Sequence, residues 1–136
     1  MKIAIVGSMR FVDEILGFKR LLEGKGHGVF LSNFTEAYSK LPKDQIENQT
    51  IHDKNNNDRL KEFCGLIEKS DAVLALNYDR KNIKNYIGGN VFLELGYAFI
   101  LGKKIYFLNP IPEMIYTSEL EAMKPMILNG NLDLIT

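Results

Sequence analysis

Residues 2–10 read KIAIVGSMR, and Ile3, Ala4, Ile5 and Val6 form an unbroken apolar run that ends at Gly7. A strand with one wet face alternates apolar and polar residues, whereas a strand covered on both faces does not. The stretch therefore predicts a strand buried on both sides and a turn at GSMR. The same signature returns at 71–77 (DAVLALN) and 103–109 (KKIYFLN), with a shorter form at 28–33 (GVFLSN). A last strand is expected within 127–135.

Helical spacing lies between these runs. Residues 11–25 place Phe11, Ile15, Phe18, Leu21 and Leu22 on one side, closed by Gly26. Residues 58–70 put Leu60, Phe63 and Ile67 on one face, with Leu66 beside them. GGNVFLELGYAFILGKK (88–104) predicts a third helix, and 113–123 a short fourth. Residues 34–52 read as polar and irregular, interrupted by Pro42. There is no repeat, and the only low-complexity tract is Asn55 to Asn57.

Near-continuous strands alternating with helices predict a single α/β domain over 1–136, a doubly wound five-stranded parallel sheet with helices on both faces. The expected order is 2-1-3-4-5, flavodoxin/Rossmann-like. Its ligand crevice lies outside the carboxyl ends of strands one and three, where the winding reverses.

Composition narrows the partners. Among 136 residues, 17 basic and 17 acidic side chains cancel, so no global field attracts a nucleic acid polymer or anionic lipid. No apolar run approaches the roughly 20 residues of a membrane span, and Ile3 to Val6 is too short for a signal-peptide core. One cysteine, Cys64, excludes an internal disulfide framework and suits a reducing cytoplasm. With two distant histidines and that cysteine, no metal-ligand cluster is visible and no cofactor is expected.

Two loops meet at the expected crevice. In GSMR, Gly7 lets a ligand approach the backbone, Ser8 caps the helix or bonds a ligand oxygen, and Arg10 after Met9 adds a forked donor for phosphate or carboxylate. A capped turn with a solvated arginine reads equally well. Residues 77–90 (NYDRKNIKNYIGGN) exceed the usual strand-to-helix loop. They carry Arg80, Lys81, Lys84, the aromatics Tyr78 and Tyr86, and asparagines at 77, 82, 85 and 90. Gly88 and Gly89 before a helix suggest an anion nest. A solvated surface loop is the alternative.

Glu94 interrupts the apolar segment 91–101. Burial of an unpaired carboxylate is costly, so the stripe of Asn90, Val91, Glu94, Tyr97 and Ala98 is expected to face a cleft, a subunit seam or water. The helix dipole is expected to favour its ionised form.

The GS-hydrophobic-R turn, the DAVLAL strand and ELGYAFILGKK together resemble the nucleoside 2-deoxyribosyltransferase superfamily, including 2′-deoxynucleoside 5′-phosphate N-hydrolases. The resemblance spans residues 1–110 in element order. It implies a nucleoside or nucleotide ligand, cleavage of an N-glycosidic bond, Glu94 as nucleophile on the anomeric carbon, and ligand contacts from Gly7, Ser8 and Arg10. It also implies a homo-oligomer, since relatives complete their pockets with a neighbour's residues. Where many relatives carry a tyrosine in strand one this chain has Ala4. Phe63 stands at the position of a helix aspartate, with Glu62 and Asp58 the nearest acids, and Gly88 replaces a serine or acid. Asp79, past the end of strand three, is the expected acid. Asn77, Tyr78, Gly88, Gly89 and Asn90 complete the expected ligand set. The alternative is a nucleotide-binding sensor or regulatory module of the same fold without the chemistry.

Overall fold

The computed structural model describes residues 1–56 and 58–136; Asn57, the last residue of the asparagine tract, lies outside the described residues. Five parallel strands form one sheet: β1 (Lys2–Val6), β2 (Gly28–Phe30), β3 (Ala72–Ala75), β4 (Lys104–Phe107) and β5 (Met126–Ile127), in the order β2-β1-β3-β4-β5. Register is tight at the centre, where Ile3 to Val6 pair with Ala72 to Ala75. The doubly wound fold read from the apolar runs is the observed one.

The runs are continuous because both faces of the central strands are covered. Ile3, Ile5 and Leu74 point into one core with Val12, Ile15 and Leu22 of α1 (Val12–Gly24). Ala4, Val6, Val73 and Ala75 point into the other. That core is filled by Phe63 and Ile67 of α4 (Arg59–Lys69) and by Val91, Leu95 and Ala98 of α5 (Gly89–Ile100). Leu120 of α6 (Thr117–Ala122) closes it. Burial of this apolar surface, at about 25 cal/mol per Å², is the main stabilising term.

Three expectations are corrected. Residues 34–52 are not irregular: they form α2 (Thr35–Ser39) and most of α3 (Lys43–Asn56), separated at Pro42. The α3 helix is polar almost all round, with only Ile46 and Asp53 buried, so it has no apolar stripe to betray it. Arg59, not Leu60, completes the inner face of α4 with Phe63 and Ile67. The last strand starts at Met126, and Leu132–Leu134 is a 3-10 turn. Among the described residues no helix is long and apolar enough to cross a membrane.

Candidate functional site

At the carboxyl edge of β1 and β3 lies a cavity of about 260 Å³. Four pieces enclose it: the turn after β1, the loop after β3, the start of α5, and one face of α3. Gly7, Ser8, Met9 and Arg10 line it on one side and Gly88, Gly89 and Asn90 on another. The α3 wall uses Lys43, Ile46, Glu47, Thr50, Ile51 and Lys54. Those positions recur at three- and four-residue steps, so a single helical face is presented.

The lining is cationic. Arg10, Lys43, Lys54, Arg59, Arg80 and Lys81 stand against one carboxylate, Glu47. Since 17 basic and 17 acidic groups balance over the whole chain, this excess is a local construction. The start of α5 adds to it. Gly88 caps that helix without a side-chain hydrogen bond, and the first amides of a helix lack intrahelical partners and attract anions. Lys54 Nζ reaches Asn90 Oδ1 at 3.4 Å, tying α3 to this helix start.

The loop after β3 is ordered by its own hydrogen bonds. Arg80 and Ile83 exchange backbone bonds across a tight turn, at 3.1 and 2.9 Å. Lys81 and Asn82 at its tip have φ of 53° and 60°, the left-handed pair that a type I′ hairpin turn needs. Asp79 Oδ1 accepts from Asn85 N at 2.9 Å, and Tyr86 N donates to Tyr78 O at 3.0 Å. The loop so fixed presents Arg80, whose Nη1 donates to Ser8 Oγ at 3.0 Å while Nη2 lies 3.8 Å from Glu47 Oε2.

A buried polar layer connects with the cavity through Arg59. Tyr38 donates its hydroxyl to Asp53, which also accepts from Gln49 Nε2 at 3.2 Å. Burial, then the bond to Asp53, raises the Tyr38 phenol above its ordinary range. Glu62 Oε1 accepts from Ser32 Oγ at 2.7 Å and Asn33 N at 3.0 Å, while its Oε2 has no partner.

Glu94 is 6 % exposed in the second turn of α5. Burial pushes its carboxyl up from about 4.5 to about 8, against the opposing pull of Arg59 and with a further push from Glu62. The expectation of an ionised group stabilised by the helix dipole is thus corrected. A dipole contributes about 0.3–1 kcal/mol near the first turn, and desolvation outweighs it. Glu94 stands near Arg59 and Glu62, not open water, while Asn90 and Val91 of the same stripe line the cavity. Glu94 does not itself line the cavity; Arg59 does.

Of the expected ligand-binding residues, Gly7, Ser8, Met9, Arg10, Gly88, Gly89 and Asn90 are brought together. Three expected site residues stand elsewhere. Asn77 is fully buried and bonds β3 to the segment after β4, through Asn109 N, Asn109 O and Pro110 O at 2.9, 2.8 and 3.1 Å. Tyr78 packs its ring on Phe11, with centroids 5.0 Å apart. Asp79 is exposed and holds the loop. Asp58 is exposed too, at φ 50°, so Glu62 is the acid that stands near Glu94. Ala4 is wholly inside the core. Sequence reading missed Lys43, Glu47 and Lys54, because a charged residue on a polar helix reads as solvated, and Arg59, because Leu60 beside it fits the apolar face of α4 better. Among the described residues, no group of three or more His, Cys, Asp or Glu is placed to hold a metal ion. Comparison with protein-family models, curated proteins and solved structures gave no match.

Proposed function

We propose that the cavity binds a nucleoside 5′-monophosphate and that the protein cleaves its N-glycosidic bond, with Glu94 as the nucleophile. The observation that carries the ligand class is the set of six cations against one carboxylate at the switch point of the sheet. At about 260 Å³ the cavity is near the lower end of the roughly 300–1,000 Å³ common for small-molecule sites, which suits a mononucleotide and not a dinucleotide. Ser8, Arg10, Arg80 and the α5 amides are the donors for the phosphate.

The reaction rests on Glu94 and on the resemblance of GSMR and ELGYAFILGKK. Loss of a base leaves an oxocarbenium-like sugar, and a carboxylate beneath the ring stabilises or traps it. Water as acceptor makes a hydrolase; a second base makes a transferase. The second reading is a binding module that turns nothing over. It is favoured by Glu94 and Asp79 both standing outside the cavity lining. Incubation with 2′-deoxynucleoside 5′-monophosphates, with free base followed by chromatography, separates the two. Base release lost in Glu94→Gln supports the enzyme. Binding without release, in the presence and absence of an acceptor base, supports the module.

The working unit of this reading is a homodimer in a reducing, cytoplasmic setting. Leu93, Phe99, Ile100 and Leu101 of the α5 region are exposed, and a second copy covers such a face by two-fold symmetry. Sedimentation at micromolar concentration is expected to give a dimer that Leu93→Glu with Ile100→Glu converts to monomer. A monomeric wild type contradicts this.

A further inference from the structure

Arg59 stands in the first turn of α4, is 6 % exposed, and lines the cavity. Its Nε has no hydrogen-bond partner. Among the described residues no carboxylate forms an ion pair with it. Its guanidinium lies over the Tyr38 ring, 5.7 Å from the centroid, and that ring is held by the bond from its hydroxyl to Asp53. A guanidinium stays charged and only donates. Burying a guanidinium with so few acceptors is costly, and a ligand acceptor at the part of it that lines the cavity offsets some of that cost.

We propose that Arg59 reads the base of the bound nucleotide, donating to ring-edge acceptors and so selecting oxo-bearing over amino-bearing bases. The inference rests on the nucleotide reading of the cavity. The phosphate has donors of its own in Ser8, Arg10, Arg80 and the α5 amides. Arg59, by contrast, shares the inner face of α4 with Phe63 and Ile67, which pack on Val91, Leu95 and Ala98 of the α5 face that carries Glu94, the residue assigned to the anomeric carbon. The base is attached to that same carbon, so the base is the part of the ligand that meets Arg59. A 6-oxopurine offers O6 and N7, two neighbouring acceptors that match a guanidinium fork. A 6-aminopurine puts donor hydrogens in place of O6, and a donor facing a donor is rejected. The same logic places uracil and thymine, with O4, above cytosine.

The test compares 2′-deoxyinosine 5′-monophosphate with 2′-deoxyadenosine 5′-monophosphate by calorimetry, since the pair differs only in the group at position 6 and in the N1 hydrogen that accompanies the oxo form. The wild type is expected to bind the oxo ligand about tenfold or more tightly, the scale of one good bidentate contact. Arg59→Met is expected to bring the two within about twofold, and Arg59→Lys to keep part of the preference. 2-Deoxyribose 5-phosphate, which has no base, is expected to bind wild type and Arg59→Met alike. Equal affinity of the wild type for the two nucleotides overturns the inference while leaving the nucleotide site intact. A loss of 2-deoxyribose 5-phosphate binding in Arg59→Met also overturns it, by making Arg59 a phosphate ligand. Failure of all three ligands to bind the wild type removes the nucleotide reading itself, and this inference with it.

Discussion

The guanidinium of Arg80 donates to Ser8 Oγ at 3.0 Å, which joins the loop after β3 to the turn after β1 across the point where the sheet reverses its winding. Its second nitrogen is only 3.8 Å from Glu47 on α3. One side chain thus holds three walls of the cavity, and a phosphate entering there competes with Glu47 for it.

Arg80→Met is expected to weaken binding of 2-deoxyribose 5-phosphate about tenfold or more, since hydrogen bonds to charged groups are worth about 1.5–3 kcal/mol. Glu47→Gln is expected to tighten binding two- to fivefold, because a half-exposed ion pair is worth at most about 1 kcal/mol. If Glu47 acts through Arg80, its effect vanishes in the Arg80→Met background. A gain that persists there shows general repulsion instead. Titration calorimetry of the four proteins measures it.

Glu94 gives a pH dependence with a definite sign. Its folded pKa, about 8, lies above the ordinary value of about 4.5, so between these limits the folded chain holds a proton that the unfolded chain has lost. Stability contributed by this group is complete below pH 4.5 and declines as pH rises toward 8, by up to about 1.4 kcal/mol per pH unit. Glu94→Gln has no such slope. Chemical denaturation at pH 5, 6.5 and 8 is expected to show the variant gaining on the wild type at each step. Because the nucleophile must be ionised, base release is expected to rise with pH up to about 8. A flat difference in stability contradicts the assigned burial of the carboxyl.

Asp79 was the acid the sequence offered, and the structure gives it another task. Its carboxylate accepts from Asn85 N and is exposed. Asp79→Asn is therefore expected to lower turnover less than tenfold, through a looser loop. Loss of a general acid costs about 10²–10⁴. Turnover of the variant at saturating nucleotide distinguishes the two, and a hundredfold loss returns Asp79 to catalysis.

Asn77 also changes role. Its fully buried amide bridges β3 to Asn109 and Pro110. Asn77→Ala is expected to destabilise the fold by about 1–3 kcal/mol, since Asn109 N and two carbonyls lose partners in a partly buried place. The affinity of the folded fraction for nucleotide is expected to stay within about threefold. A large loss of affinity without loss of stability contradicts this.

How much of this was legible depends on what kind of signal each part leaves. The strands at 3–6 and 72–75 were plain, because cover on both faces leaves them no polar positions. The turn at Ser8 and the glycines at 88 and 89 followed from that topology. The α3 helix was hidden, since only Ile46 among its apolar residues is buried and its other inward groups line a polar cavity or, at Asp53, bond Tyr38. Arg59 was hidden for a related reason. Leu60 fits an apolar face better, and nothing in the sequence shows that the neighbouring cation is the one turned inward. Tyr38 and Asp53, 15 positions apart, meet only through the packing of α2 on α3.

The most direct measurement is a crystal structure of the protein with a 2′-deoxynucleoside 5′-monophosphate bound. The account predicts the phosphate against Ser8, Arg80 and the first amides of α5, with a Glu94 carboxyl oxygen about 3–3.5 Å from the anomeric carbon, the separation of a near-attack geometry. A phosphate bound elsewhere, or a Glu94 that does not reach the sugar, contradicts it.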